Sequence, residues 1–251
     1  MRNREINSVL DKVLGERDQM ARGFLQEHDD LAWFFNTYFA TMGKLSLAAA
    51  ESNTICNSFE RSLTTTMWQQ AIQYHLDALI HILTQAPDSG LALLRSATEL
   101  ARDFSIIAKE AAALPIWKNR ADSKDGHEAY RGKFRFDSSR NGQAAWRLYK
   151  FCCKYGAHGH LTGFAFSSVE PSDDSESLIY FQPARKAVSE ALVPWLLGVP
   201  TINNLFIGAL NIPWAEKATR QPHKLYLKLV EGLPIIKMKL KALSNSNNGS
   251  Q

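Results

Sequence analysis

The chain has 251 residues, 45% of them hydrophobic and 10% aromatic, enough to bury a sizeable core and too apolar for global disorder. Three cysteines, two of them adjacent (Cys152 and Cys153), fit neither a disulfide framework nor a Cys-x-x-Cys site, which points to a reducing, cytoplasmic setting. The formal net charge of +4 hides two basic zones. Residues 118–154 hold ten Lys or Arg against four acids, and residues 217–241 hold seven against one. Two such zones on an otherwise acidic body suit a polyanion, and equally suit solvated helix faces.

From Glu5 to about Gln85 the apolar spacing is helical, with Leu31, Phe34, Phe35, Tyr38 and Phe39 at three- and four-residue steps. No apolar core with a small-residue cleavage site opens the chain, so no secretory leader is expected. Gly15 and Gly23 are the candidate early breaks, and Ser62 to Thr66 the later one, because Ser and Thr compete for backbone hydrogen bonds. A further helix covers Met67 to Thr84, and the turn Ala86 to Gly90 follows. Pro87 is suited to a first helical turn, so a helix is predicted from Pro87 to Ala113 and ended by Pro115. Residues 119–141 read as a polar loop carrying a short helix. Gln143 to Tyr155 is helical again, with Gly156 as its stop.

Two short runs, Leu161 to Ser167 and Leu178 to Gln182, predict a small β-hairpin near 161–182. The longest apolar stretch, Ala191 to Pro213, is interrupted by Pro194 and Pro200 and has no basic cluster at its ends. It reads as a buried, kinked pair of helices, and no membrane partner is expected from it. Pro222 starts a last helix to about Leu243, and residues 244–251 are expected to be a disordered tail. The fold class expected is all-α, a multi-helix bundle with that hairpin. It forms one domain over 1–243, or an N-terminal helical part over 1–65 followed by a bundle over 66–243.

Ionisable groups inside apolar helical patterns need a partner or a use. Arg95, Glu99 and Asp103 lie four apart on one helix, which fits an ordinary intrahelical ion pair or one edge of a site. Arg147, Lys150, Lys154 and His158 follow a helical rhythm, and His158 and His160 flank a glycine just past the helix end, where exposed carbonyls favour a protonated ring. A cationic His beside Lys154 can hold phosphate or move a proton. Cys152 and Cys153 suit either a thiolate activated by these cations or a small core residue. His-Glu-x-x-His, P-loop, Gly-x-Gly-x-x-Gly and Gly-x-Ser-x-Gly patterns are absent, so neither a metal nor a cofactor is expected.

The segment Leu-Leu-Arg95-Ser-Ala-Thr-Glu99, followed after a basic excursion by a helix ending Lys154-Tyr-Gly-Ala-His158, resembles a loose group of bacterial helical-bundle proteins related to the HEPN superfamily, over roughly residues 66–160. The resemblance implies an α-helical bundle, often dimeric, in stress or mobile-element defence. HEPN ribonucleases carry Arg, a few polar residues and then His. Here Lys replaces Arg and the gap is shorter. The resulting expectation is a protein that binds RNA or a phosphorylated ligand through Arg95, Glu99, Lys154, Tyr155 and His160. The alternatives are a non-enzymatic homo-oligomeric scaffold, or a metal-independent ribonuclease with His158 as its acid or base.

Overall fold

A computed structural model describes residues 15, 18–52, 58–84, 86–157, 185–210, 212 and 217–246. Its elements after a helical stretch over 18–27 are α1 (Asp29–Glu51), α2 (Ser58–Leu83), α3 (Pro87–Lys109), α4 (Ala113–Lys118), α5 (Lys124–Lys133), α6 (Arg140–Cys152), a π-helical turn (Cys153–Ala157), α7 (Arg185–Ala209) and α8 (Lys217–Ser246). The all-α bundle is as expected, and no strand occurs among the described residues. The hairpin expected near 161–182 lies outside them.

Apolar periodicity explains which faces turn inward. Leu31, Phe34, Phe35, Tyr38, Met42 and Leu45 line the buried side of α1, while Trp33 between them is 64% exposed. The aromatic run of residues 33–39 is therefore mostly core. Helix α3 sits centrally and touches α2, α4, α6, α7 and the π turn; α8 packs against α1 and α7. Trp68 stacks on Phe206 at 5.3 Å and Phe104 on Phe206 at 4.8 Å, joining α2, α3 and α7 through one ring cluster.

Several boundaries differ from the sequence expectation, each for a local reason. The early break falls at His28, beyond Gly23, and Ser62 to Thr66 runs uninterrupted within α2. Pro87 does start α3, but that helix ends at Lys109. Pro115 sits in the first turn of α4, where its missing N–H costs nothing. The polar excursion contains α5, started by Ser123, whose hydroxyl accepts from the Gly126 N–H at 3.0 Å. Ser139 caps α6 in the same way through Gly142.

The expected helix pair is one continuous helix, α7, with Pro194 and Pro200 inside it. Each interior proline removes a backbone bond at a cost of about 3 kcal/mol. Burial of the helix in the bundle offsets that cost, and within it Thr201 Oγ1 and Asn203 Nδ2 bond back to the Leu197 and Val199 carbonyls at 2.6 and 2.7 Å. Residues Val188–Ala209 are long and apolar enough to cross a membrane, yet 67% of that window is buried within the bundle. Helix α8 likewise starts before Pro222 and runs to Ser246, so residues 244–246 are helical and not tail.

Gly156 lies inside the π turn, where it permits a contact. A Cβ there would lie 2.7 Å from the Ala92 backbone nitrogen and 2.8 Å from Leu91 Cβ, so only glycine lets the π turn seat on α3. We expect Gly156→Ala to destabilise the protein by about 1–3 kcal/mol, as overpacking does. An unchanged urea midpoint in that variant would contradict this tight seating.

A buried polar chain locks α1, α2 and α7 together. Asn203 Nδ2 donates to Tyr38 Oη at 2.9 Å, Tyr38 Oη to His75 Nδ1 at 2.7 Å, and His75 Nε2 to the Trp195 carbonyl at 3.1 Å. Trp68 Nε1 donates to Asn203 Oδ1, and Trp195 Nε1 returns a bond to the His75 carbonyl. This direction of donors requires the Nε2–H tautomer of His75. Burial holds that ring down to a pKa of about 3, so it is neutral at physiological pH.

Candidate functional site

The ionisable groups of α3 project toward α5 and α6 around a cleft of about 620 Å³. Its cationic lining is Arg95 and Arg102 from α3, Arg131 from α5, and Arg135 just beyond it. Phe136, Trp146 and Tyr149 supply an aromatic wall, with ring centroids 5.4–5.7 Å apart. His127 and Gln143 add polar groups at the rim. Glu99 is the one carboxylate in the lining.

One wall is rigid because its charges are saturated. Arg102 donates to Asp103 Oδ1 through both Nε and Nη2, at 2.9 and 2.6 Å, and its side chain is 10% exposed. Asp103 Oδ2 accepts from Tyr130 Oη at 2.8 Å and from Trp117 Nε1 at 3.0 Å, so one carboxylate ties α3 to α4 and α5. Burial pushes the Asp103 carboxyl above its ordinary range, while Arg102 and the Tyr130 and Trp117 donors pull it back toward the ionised form. The Arg102 guanidinium also faces the Phe136 ring at 5.0 Å, a cation–π contact that orients it along the cleft.

The opposite side is more open. Arg95 reaches Glu99 at 3.3–3.4 Å and lies 5.5 Å from the Tyr149 ring centroid; the ion pair is about one third exposed. Glu99 is thus offset locally, and the net field of the lining stays positive. Burial first, then the hydrogen bond with Cys153 and the charge of Glu99, push the Tyr149 hydroxyl up to about 12, so it stays protonated at neutral pH. Arg131 and Arg135 are exposed and form no ion pair among the described residues, and Arg135 Nε has only a long 3.4 Å contact to the Arg131 carbonyl. Their forks are available for an incoming anion.

The structure brings Arg95 and Glu99 into the cleft and leaves Lys154 and Tyr155 out of its lining. Lys154 lies on the π turn with its Nζ 5.0 Å from the Tyr155 ring, and Tyr155 packs on Phe151 at 4.6 Å. His158 and His160 lie outside the described residues. Cys152 is fully buried and its thiol is pushed up to about 12 by that burial, which favours the core reading over an activated thiolate. Among the described residues no three His, Cys, Asp or Glu side chains cluster as metal ligands.

Residue-by-residue reading missed Arg102, Tyr130, Arg131, Arg135 and Phe136. The available signal was regional: the excess of Lys and Arg over residues 118–154 spans most of this lining. No protein-family model matches the chain, and neither a curated protein nor a solved structure does.

Proposed function

We propose that this protein binds a phosphorylated ligand carrying a planar ring, a nucleotide or a nucleotide of an RNA strand, in the cleft between α3, α5 and α6. The observation that carries this reading is a lining of four arginines and three adjoining aromatic rings, whose one carboxylate is already paired with Arg95. Guanidinium forks match phosphate oxygens bidentately, and a base stacks on an aromatic face whatever its sequence. Arg131 and Arg135 take the phosphate, Trp146 offers the stacking face, and Arg95 with Glu99 closes the α3 side. The HEPN-like resemblance agrees with a role for Arg95 and Glu99 but assigns nothing to α5. A cytoplasmic location is part of the same reading.

Calorimetry with nucleoside monophosphates, and anisotropy of a labelled single-stranded RNA, test it. Arg131→Ala with Arg135→Ala is expected to weaken binding about a hundred-fold or more, since each charge-assisted contact contributes about 1.5–3 kcal/mol. Trp146→Ala removes a stacking contribution of about 1–3 kcal/mol. Absence of binding by both ligand types, or equal binding by the double arginine variant, would overturn the assignment.

A further inference from the structure

A second basic feature lies on another part of the bundle, where α8 crosses α1. Lys44 of α1 and Lys224 and Lys228 of α8 line a groove of about 450 Å³, with Gln221 and Leu225 beside them. Those three lysines are exposed and form no ion pair among the described residues. From the groove, Lys224, Lys228, Glu231, Ile235 and Met238 follow one another at four- and three-residue steps, so they form a single outward ridge of α8. Ile235 and Met238 are 67% and 62% exposed on it, and Leu227 beside them is 46% exposed. Glu231 is the one acid of α8, against seven Lys or Arg.

The inner side of the helix is already used: Tyr226, Leu229 and Leu240 are buried, and Lys239 is tied to Asp30. The outer side therefore joins an apolar feature, which water does not reward, to a cationic one, which water hydrates. It carries large apolar side chains in the open, and beside them a lysine-lined groove without countercharge. Basic residues flanking exposed Leu, Ile and Met on one helical face are the chemistry of an interfacial helix.

We propose that the outer ridge of α8 docks on an anionic lipid surface, with Lys44, Lys224 and Lys228 receiving headgroup phosphates and Ile235, Met238 and Leu227 entering the interface. This is contact with one leaflet and needs no spanning segment, so it is compatible with α7 remaining in the core. Charge complementarity selects the occupant. A second copy seated about a two-fold axis through the groove would bring the same lysines against each other, and a neutral apolar partner would leave them unanswered.

The test is co-sedimentation of the full chain with vesicles of pure phosphatidylcholine and of phosphatidylcholine with 30% phosphatidylglycerol. Binding to the anionic vesicles, at least ten-fold weaker to the neutral ones and falling as salt rises, is the expected result. Lys224→Glu with Lys228→Glu should lower it by more than ten-fold, at about five-fold for each lysine lost near an anionic surface. Ile235→Ser with Met238→Ser should lower it independently while circular dichroism stays unchanged. Because these side chains are exposed, neither pair of changes threatens the fold. The proposal is overturned by equal binding to both vesicle types, by no binding to either, by full binding of the lysine variant, or by a shift to dimers that the serine variant abolishes. Vesicle binding that survives Arg131→Ala with Arg135→Ala separates this surface from the cleft.

Discussion

Mild acid is expected to destabilise this protein through a single buried ring. His75 has a pKa held at about 3 in the fold by desolvation, against 6.5 for the exposed ring. The unfolded chain therefore takes up the proton first. The stabilising contribution is complete above pH 6.5 and is lost as pH falls toward 3, at up to about 1.4 kcal/mol per pH unit. Protonation also reverses Nδ1 from acceptor to donor, setting it against the proton on Tyr38 Oη, 2.7 Å from Nδ1, and disturbing the chain to Asn203. Urea melts between pH 7 and pH 5 read the slope, and His75→Gln, which does not titrate, should flatten it. Should that variant fold poorly, a nuclear magnetic resonance titration of the native His75 ring decides the matter: no protonation is expected down to pH 5. A ring that titrates near 6.5 in the folded protein would show that the site is not dry.

The second large effect is at Asp103. Its carboxylate accepts from Arg102, Tyr130 and Trp117 and is buried, so Asp103→Ala removes the shared acceptor of three side chains and leaves Arg102 only its bond to Tyr130 Oη. Removing one partner of a buried ion pair costs about 3–5 kcal/mol, more than the pair itself contributes relative to apolar packing. The loss is expected to loosen α4 and α5 from α3 and to free Arg102 from its fixed orientation, so cleft binding should weaken along with stability. Asp103→Asn keeps an acceptor while losing the charge, and should fall between wild type and alanine in urea midpoint. Equal midpoints for Asp103→Ala and wild type would remove Asp103 from the structural role assigned to it.

Helical periodicity and composition were enough to define the all-α class. The spacing of Leu31, Phe34, Phe35 and Tyr38 predicted the buried face of α1, and Pro87 marked the start of α3, because both are set within one or two turns of the residue concerned. Proline was the less faithful guide further on. Pro194 and Pro200 lie inside α7, because burial of that helix in the bundle offsets a cost that a local rule counts in full. Gly156 shows the same limit: its flanking pattern is that of a helix stop, and its use is the close approach of α3.

For the site, the chain by itself determined that Arg95 and Glu99 share a helix face and that the segment after them is basic. These are properties of spacing and charge that need no partner element. Only the tertiary structure decided which cations meet. Arg102 and Asp103 are adjacent in sequence and pair with each other, yet the cleft forms because Tyr130, 27 residues beyond Asp103, reaches back to the same carboxylate. That closure brings Arg131 and Arg135 into the same cleft as Arg95, while Lys154, close in sequence to the cleft's Tyr149, sits on a π turn outside the lining. A cavity is a relation among distant segments, and its energy resides in their mutual burial. No periodicity along one strand of sequence encodes it.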